Sequence, residues 1–238
     1  MNDREIDEIL ARAAQRPDKL EPALLERVAA FIKPSLQPVR PLPPTWALAG
    51  GLILICTAVA LAGAARAGFY GIEKLNLFER ALIFPALAIL MVRAGIEFVS
   101  EMIPASRRRV TSGAFLAIGC AVLLCVFGFV FRDYHTDHFV HAGIACLATG
   151  VLHAIPAALL SWLLLRRGFA VNAVAAGLAV GTLSGLAGVT MLELHCANFE
   201  ALHILVWHIG VVLLSAALGA LAAWAARFRK RNLGAAGN

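Results

Sequence analysis

Charge is what this sequence has least of. Only 15% of its 238 residues are Asp, Glu, Lys or Arg, while 60% are hydrophobic and the mean hydropathy is +0.78. A soluble domain averages roughly 45–50% apolar and about 25% charged residues, and a core of this size in water needs that charged surface. The shortage excludes a soluble globular protein. Catalytic signatures are missing as well: there is no Gly-rich phosphate loop, no His-Glu-x-x-His pair and no nucleophile elbow. The chain is read as a non-enzyme, and its leading reading requires no cofactor. Residues 1–45 contain neither cysteine nor histidine, so no zinc-stabilised module lies there. They also lack the apolar core run of a cleavable signal peptide. Acids and bases are absent from the middle of the apolar runs, which weighs against a transporter.

What is present is a succession of apolar runs of about twenty residues, each long enough to cross the hydrocarbon layer. They fall near Trp46–Ala65, Phe78–Phe98, Ser112–Phe131, Ala142–Leu165, Val171–Leu192 and Leu202–Ala226. The fold class is all-α: a polytopic membrane protein with six transmembrane helices behind a short cytosolic two-helix segment. Residues 1–33 make that segment, 34–45 a Pro-rich linker, 46–226 the transmembrane domain and 227–238 a basic cytosolic tail. In the head, one stripe carries Ile6, Ile9 and Leu10 and a second carries Leu25, Val28 and Ile32, both at helical spacing.

The few charges are segregated, so the net charge of +6 reads as topology. Arg107-Arg108-Arg109, Arg166-Arg167 and Arg227 to Arg231 all fall on one side if the N-terminus is inside. The positive-inside bias therefore places both chain ends in the cytoplasm of a bacterial inner membrane. These charges share no folded surface, which argues against direct nucleic-acid binding. Gly177, Gly181, Gly185 and Gly188 form a small-residue stripe on the fifth span, packing inside the bundle or against a second copy of the chain.

This orientation gathers the seven histidines toward the outer face. His135, His138 and His141 lie in the third-to-fourth loop, and His195 and His203 flank the turn between the fifth and sixth spans. Imidazole is a common ligand for zinc, copper or nickel; imidazole in a solvated loop is equally ordinary. His153 and His208 sit a few turns into the fourth and sixth spans. As a facing pair they suit axial haem ligation in a haem- or quinone-handling redox protein, and as polar groups in a bundle they suit interhelical hydrogen bonds. Cys56, Cys120 and Cys125 lie within spans as small apolar fillers. Cys146 and Cys196 share a similar depth on the oxidising side, as a responsive thiol pair or as inert thiols.

The C-terminal half carries a resemblance. Cys146-Leu147-Ala148 leading to Pro156, Leu164-Leu165-Arg166-Arg167-Gly168, the Gly177/Gly181/Gly185 helix, Leu194-His195-Cys196, and Phe199 through Trp207-His208 to Gly210 together resemble the NrsF-type negative regulators of extracytoplasmic-function sigma factors. The likeness covers most of the chain in plan and residues 142–226 in motif. Two places depart from the family: Cys196-Ala197-Asn198 stands where Cys-Pro-Glu is common, and Trp207-His208 where Trp-Tyr is common. The resemblance implies a membrane-bound anti-sigma factor. Its head would hold a cytosolic sigma factor through the two apolar stripes, while the bilayer holds the spans. Release would follow an oxidative or metal signal sensed at Cys146 and Cys196. A membrane redox protein using His153 and His208, or a small transporter, are the competing readings.

Overall fold

The computed structural model describes residues 43–103, 110–135, 139–165, 168 and 170–235, and among the first forty-two only Glu8, Glu26, Arg27 and Ala30, which are helical and exposed. The stripe residues Ile6, Ile9, Leu10, Leu25, Val28 and Ile32, together with His138 and the Arg107–Arg109 and Arg166–Arg167 runs, lie outside the described residues. Residues Met1–Pro41 and Leu42–Asn238 are separate units, and the second contains all six apolar runs.

This second unit is helical throughout, without a strand among the described residues. Its elements are α1 (Thr45–Ala67), a short α2 (Tyr70–Lys74), α3 (Leu77–Met102), α4 (Ser112–Val130), α5 (Phe139–Leu165), α6 (Ala173–His195), a single turn α7 (Ala201–His203), a π-turn (Ile204–His208) and α8 (Ile209–Ala235). Six helical stretches are long and apolar enough to cross a membrane, each overlapping the run expected for it. The helix α3 runs past the expected Phe98 to Met102, with Glu97 and Glu101 buried near its end, where Ser112 Oγ donates to Glu101 Oε1 at 2.9 Å. Local chemistry sets the starts: Asn76 and Glu79 form a reciprocal capping box on α3, and Thr111 and Asn172 cap α4 and α6.

The helix α6 is the axle. In its most apolar window 78% of residues are buried, against 22–50% in the other spans, and it packs against all five of them. Its glycine stripe explains the position. A Cβ at Gly177 would collide with the Gly219 carbonyl, one at Gly181 with the Ser215 carbonyl, and one at Gly185 would stand 2.8 Å from Val212 Cα. The missing side chains let the backbones of α6 and α8 approach directly. At Gly188 the same intimacy is with Gly150 of α5. Of the two readings of this stripe, packing within one chain is therefore the one observed.

The opposite surfaces of the outer helices stay apolar and uncovered, with Leu54, Ile89, Leu159 and Leu221 among many exposed large side chains. Such a surface suits lipid and is unstable in water. The bundle has two distinct ends. One carries Thr45, Met102, Ser112, Leu165 and Ala173; the other carries α2, residues 131–135 and the turn from His195 to Ala201.

Candidate functional site

The second end is the more elaborately built. Gly68, at φ +104°, turns the chain out of α1 into α2, a conformation that side chains beyond glycine rarely adopt. Gly71 then lies so close to α6 that a Cβ there would stand 2.6 Å from the Glu193 carbonyl oxygen and 2.7 Å from that of Cys196. The connection after α4 is tied to the same place. The Asp133 carbonyl accepts from the Ala201 N–H, Asp133 and Glu200 form a one-residue parallel bridge, and the Phe131 and Phe199 rings stack at 5.6 Å.

Four groups converge beneath these connections: Cys146 on α5, Cys196 at the C-cap of α6, His203 on α7 and His208 at the end of the π-turn, with one ligand-type atom from each lying within 4.8 Å of the others. The route of each is local. Phe139, Gly143, Cys146 and Gly150 recur at helical spacing along one stripe of α5. That stripe is clamped to the last span because Trp207 occupies the space a Gly143 side chain would fill and packs on Phe139 at 5.4 Å. Cys196 follows Glu193 by three residues, one helical turn, at the end of α6. His203 and His208 are five apart, which in an α-helix sets side chains about 140° from one another. The π-turn, with its i→i+5 bonding, brings them onto neighbouring positions, and their rings meet edge to face at 5.5 Å.

The cluster is nearly dry. Relative exposure is 8% for Cys196, 0% for His203 and 1% for both His208 and Glu193, while Cys146 is half-buried. Cys146 Sγ lies 3.5 Å from Cys196 Sγ, in contact but not bonded, and Cys196 Sγ lies 3.7 Å from His203 Nε2. His208 Nδ1 donates to Glu193 Oε1 at 2.7 Å. That carboxylate fixes the ring so that Nε2 faces away from it. His208 Nε2, His203 Nδ1 and Glu193 Oε2 are buried without a hydrogen-bond partner, a state rare enough to call for a cause. The hydrogen bond shared with Cys146, together with burial, holds the Cys196 thiol above its ordinary range.

The other histidines go elsewhere. His135 is exposed and pairs with Asp133, whose carboxyl is held below its usual range by that hydrogen bond. His141 is exposed on the first turn of α5. His195 Nδ1 lies 3.0 Å from the Gly68 carbonyl and its ring rests on Tyr70. His153 donates to the Thr149 carbonyl of its own helix and fills the hollow at Gly63. Its neighbours differ from those of His208, so the facing pair a haem would need is not what these contacts describe. Among the described residues Cys146, Cys196, His203 and His208 are the one group of three or more potential ligands. Of this site only His203 is among the metal-ligand candidates of the sequence; there Cys146 and Cys196 stand as a thiol pair, His208 as a haem-ligand candidate, and Glu193 has no assigned role. The signal for them was their shared depth, and the five-residue histidine spacing concealed it.

Comparison with curated proteins and with solved structures returns no match. A family model described as negative regulator of sigma F matches residues 34–227, which takes in all six spans, the turn bearing Cys196 and the whole cluster. The chain belongs to the NrsF family, the negative regulators of sigma F.

Proposed function

We propose that this negative regulator works as a membrane-bound anti-sigma factor that sequesters an extracytoplasmic-function sigma factor on its head and releases it when the Cys146–Cys196 pair changes state. The carrying observation is the contact of those two sulfurs at 3.5 Å inside a buried polar cluster, at the end of the bundle opposite the one where the chain enters α1. A thiol pair held in contact changes its packing when it is oxidised or ligated, because a disulfide shortens the separation to about 2.05 Å. Helix α6 carries one of these cysteines on its C-cap and touches every other span. A shift there is therefore felt by the whole bundle, since close-packed helices transmit strain.

At the other end of the pathway, residues 1–33 present two apolar stripes that a short segment cannot bury alone, and an amphipathic helix in a groove is the usual solution. The sigma factor is the partner that such a head would take, on the cytosolic side. Co-purification tests the reading. The full-length chain, extracted from its host in detergent, is expected to retain a sigma factor. Ile9→Asp with Val28→Asp is expected to lose it. Cys146→Ser or Cys196→Ser is expected to retain it and to resist release by oxidant or metal. Absence of any sigma factor from the unaltered protein, or constitutive release from both serine variants, overturns the proposal.

A further inference from the structure

Beside the thiol pair stand two buried histidines and a buried glutamate. We propose that Cys146, Cys196, His203 and His208 form one tetrahedral site for a zinc-class divalent ion, with Glu193 as the positioning carboxylate behind His208. This deepens the proposed sensing role by naming the ligand of the same cluster.

Distance is the first argument. Zinc bonds of about 2.3 Å to sulfur and about 2.0–2.1 Å to nitrogen produce a tetrahedron with edges of about 3.3–3.8 Å. The Sγ–Sγ separation of 3.5 Å and the Sγ–Nε2 separation of 3.7 Å are already of that length, and all four ligand atoms lie within 4.8 Å of one another. An S2N2 set at this geometry selects zinc-class ions over oxygen-preferring cations such as magnesium or calcium.

Orientation is the second. A metal-bound histidine characteristically donates its other ring N–H to a carboxylate, which fixes the tautomer and turns the free nitrogen to the ion. His208 meets that description: Nδ1 is held by Glu193 at 2.7 Å, and Nε2 is buried with no partner. A ring 1% exposed, with its other nitrogen facing two thiols and a second imidazole, is placed to take a cation among them. Electrostatics agree. Binding would displace the two thiol protons to solvent, and the two thiolates then cancel the charge of the ion, so the dry site gains no net charge.

His208 gives the site its particular character, because it is the ligand whose other ring nitrogen is already held by a buried carboxylate. Four protein ligands close the coordination shell, as in structural zinc sites. Occupancy would pin α5, the α6 C-cap and the π-turn together.

The test uses the reduced full-length protein in detergent, with Co2+ as a spectroscopic probe followed by Zn2+. One equivalent of cobalt is expected to develop tetrahedral thiolate–imidazole absorption that zinc then erases. X-ray absorption of the zinc form is expected to show two sulfurs at about 2.3 Å and two nitrogens at about 2.0 Å; this measurement needs no variant. His208→Tyr is expected to lose the tetrahedral spectrum. Glu193→Gln is expected to keep that spectrum while zinc affinity falls about 10–100-fold, the usual consequence of losing such a carboxylate. A zinc shell of oxygen and nitrogen alone, or a cobalt spectrum unchanged in His208→Tyr, overturns the site. So does a protein that takes up no metal but forms a Cys146–Cys196 disulfide under oxidant, which would leave the thiol-pair reading standing. None of these readouts involves a sigma factor, so failure here is distinguishable from failure of the regulator reading.

Discussion

At the scale of single residues, the decisive pair is Glu193 with His208. Both are 1% exposed, and the carboxylate has one oxygen on Nδ1 and the other without a partner. A charge so placed is tolerable only because its partner is present; removing one member of a buried pair costs about 3–5 kcal/mol, because the survivor keeps its desolvation penalty. Glu193→Ala is therefore expected to lower unfolding stability in detergent by about that amount. The double change Glu193→Leu with His208→Leu should recover much of it, since apolar replacement of a whole buried pair is often neutral. A double variant as unstable as the single one would show that the pair's role is local packing and not charge compensation. By contrast His135 and Asp133, though paired, are exposed, and their side chains lie outside the cluster.

At the scale of elements, three devices build the site: the α6 glycine stripe, the clamp of Trp207 on Gly143, and the π-turn. The first is the most readily tested. A side chain at Gly181 must displace the Ser215 backbone, whereas Gly128 of α4 has nothing within 4 Å of where a Cβ would stand. Overpacking of this kind costs about 1–3 kcal/mol, while helix propensity alone favours alanine over glycine by about 1 kcal/mol. Gly181→Ala is thus expected to lower the thermal midpoint, and Gly128→Ala to leave it equal or higher. Opposite results would place the α6–α8 contact elsewhere. The stripe was legible in the sequence because glycines at fixed spacing betray a close approach. The π-turn was not: Ile204–His208 reads as ordinary helix, and nothing in its composition announces the extra residue per turn.

At the scale of the whole molecule, the expected orientation rests on the basic runs, since a bilayer sorts arginine and lysine to the cytoplasmic side. Reporter fusions check it. A phosphatase joined within residues 133–138 is expected to be active outside, and one joined after Arg231 inactive, with fluorescent-protein fusions showing the reverse. The opposite pattern would put the thiol cluster in the cytoplasm and undo the proposed direction of signalling.

The sequence by itself determined the spans, because twenty-residue apolar runs have no other use than to sit in lipid. It also brought Cys146, Cys196, His195, His203 and His208 to one end, since antiparallel spans with short connections leave no alternative. Which of them meet was decided by tertiary structure alone. That depended on helix rotation and on close approach at Gly71, Gly143 and Gly150, together with one π-turn. A step of a single residue, about 100° in an α-helix, separates Cys196, which meets His203, from His195, which turns to Gly68 instead. Depth in the membrane is encoded by counting along the chain. Azimuth around each helix is encoded only by what it packs against.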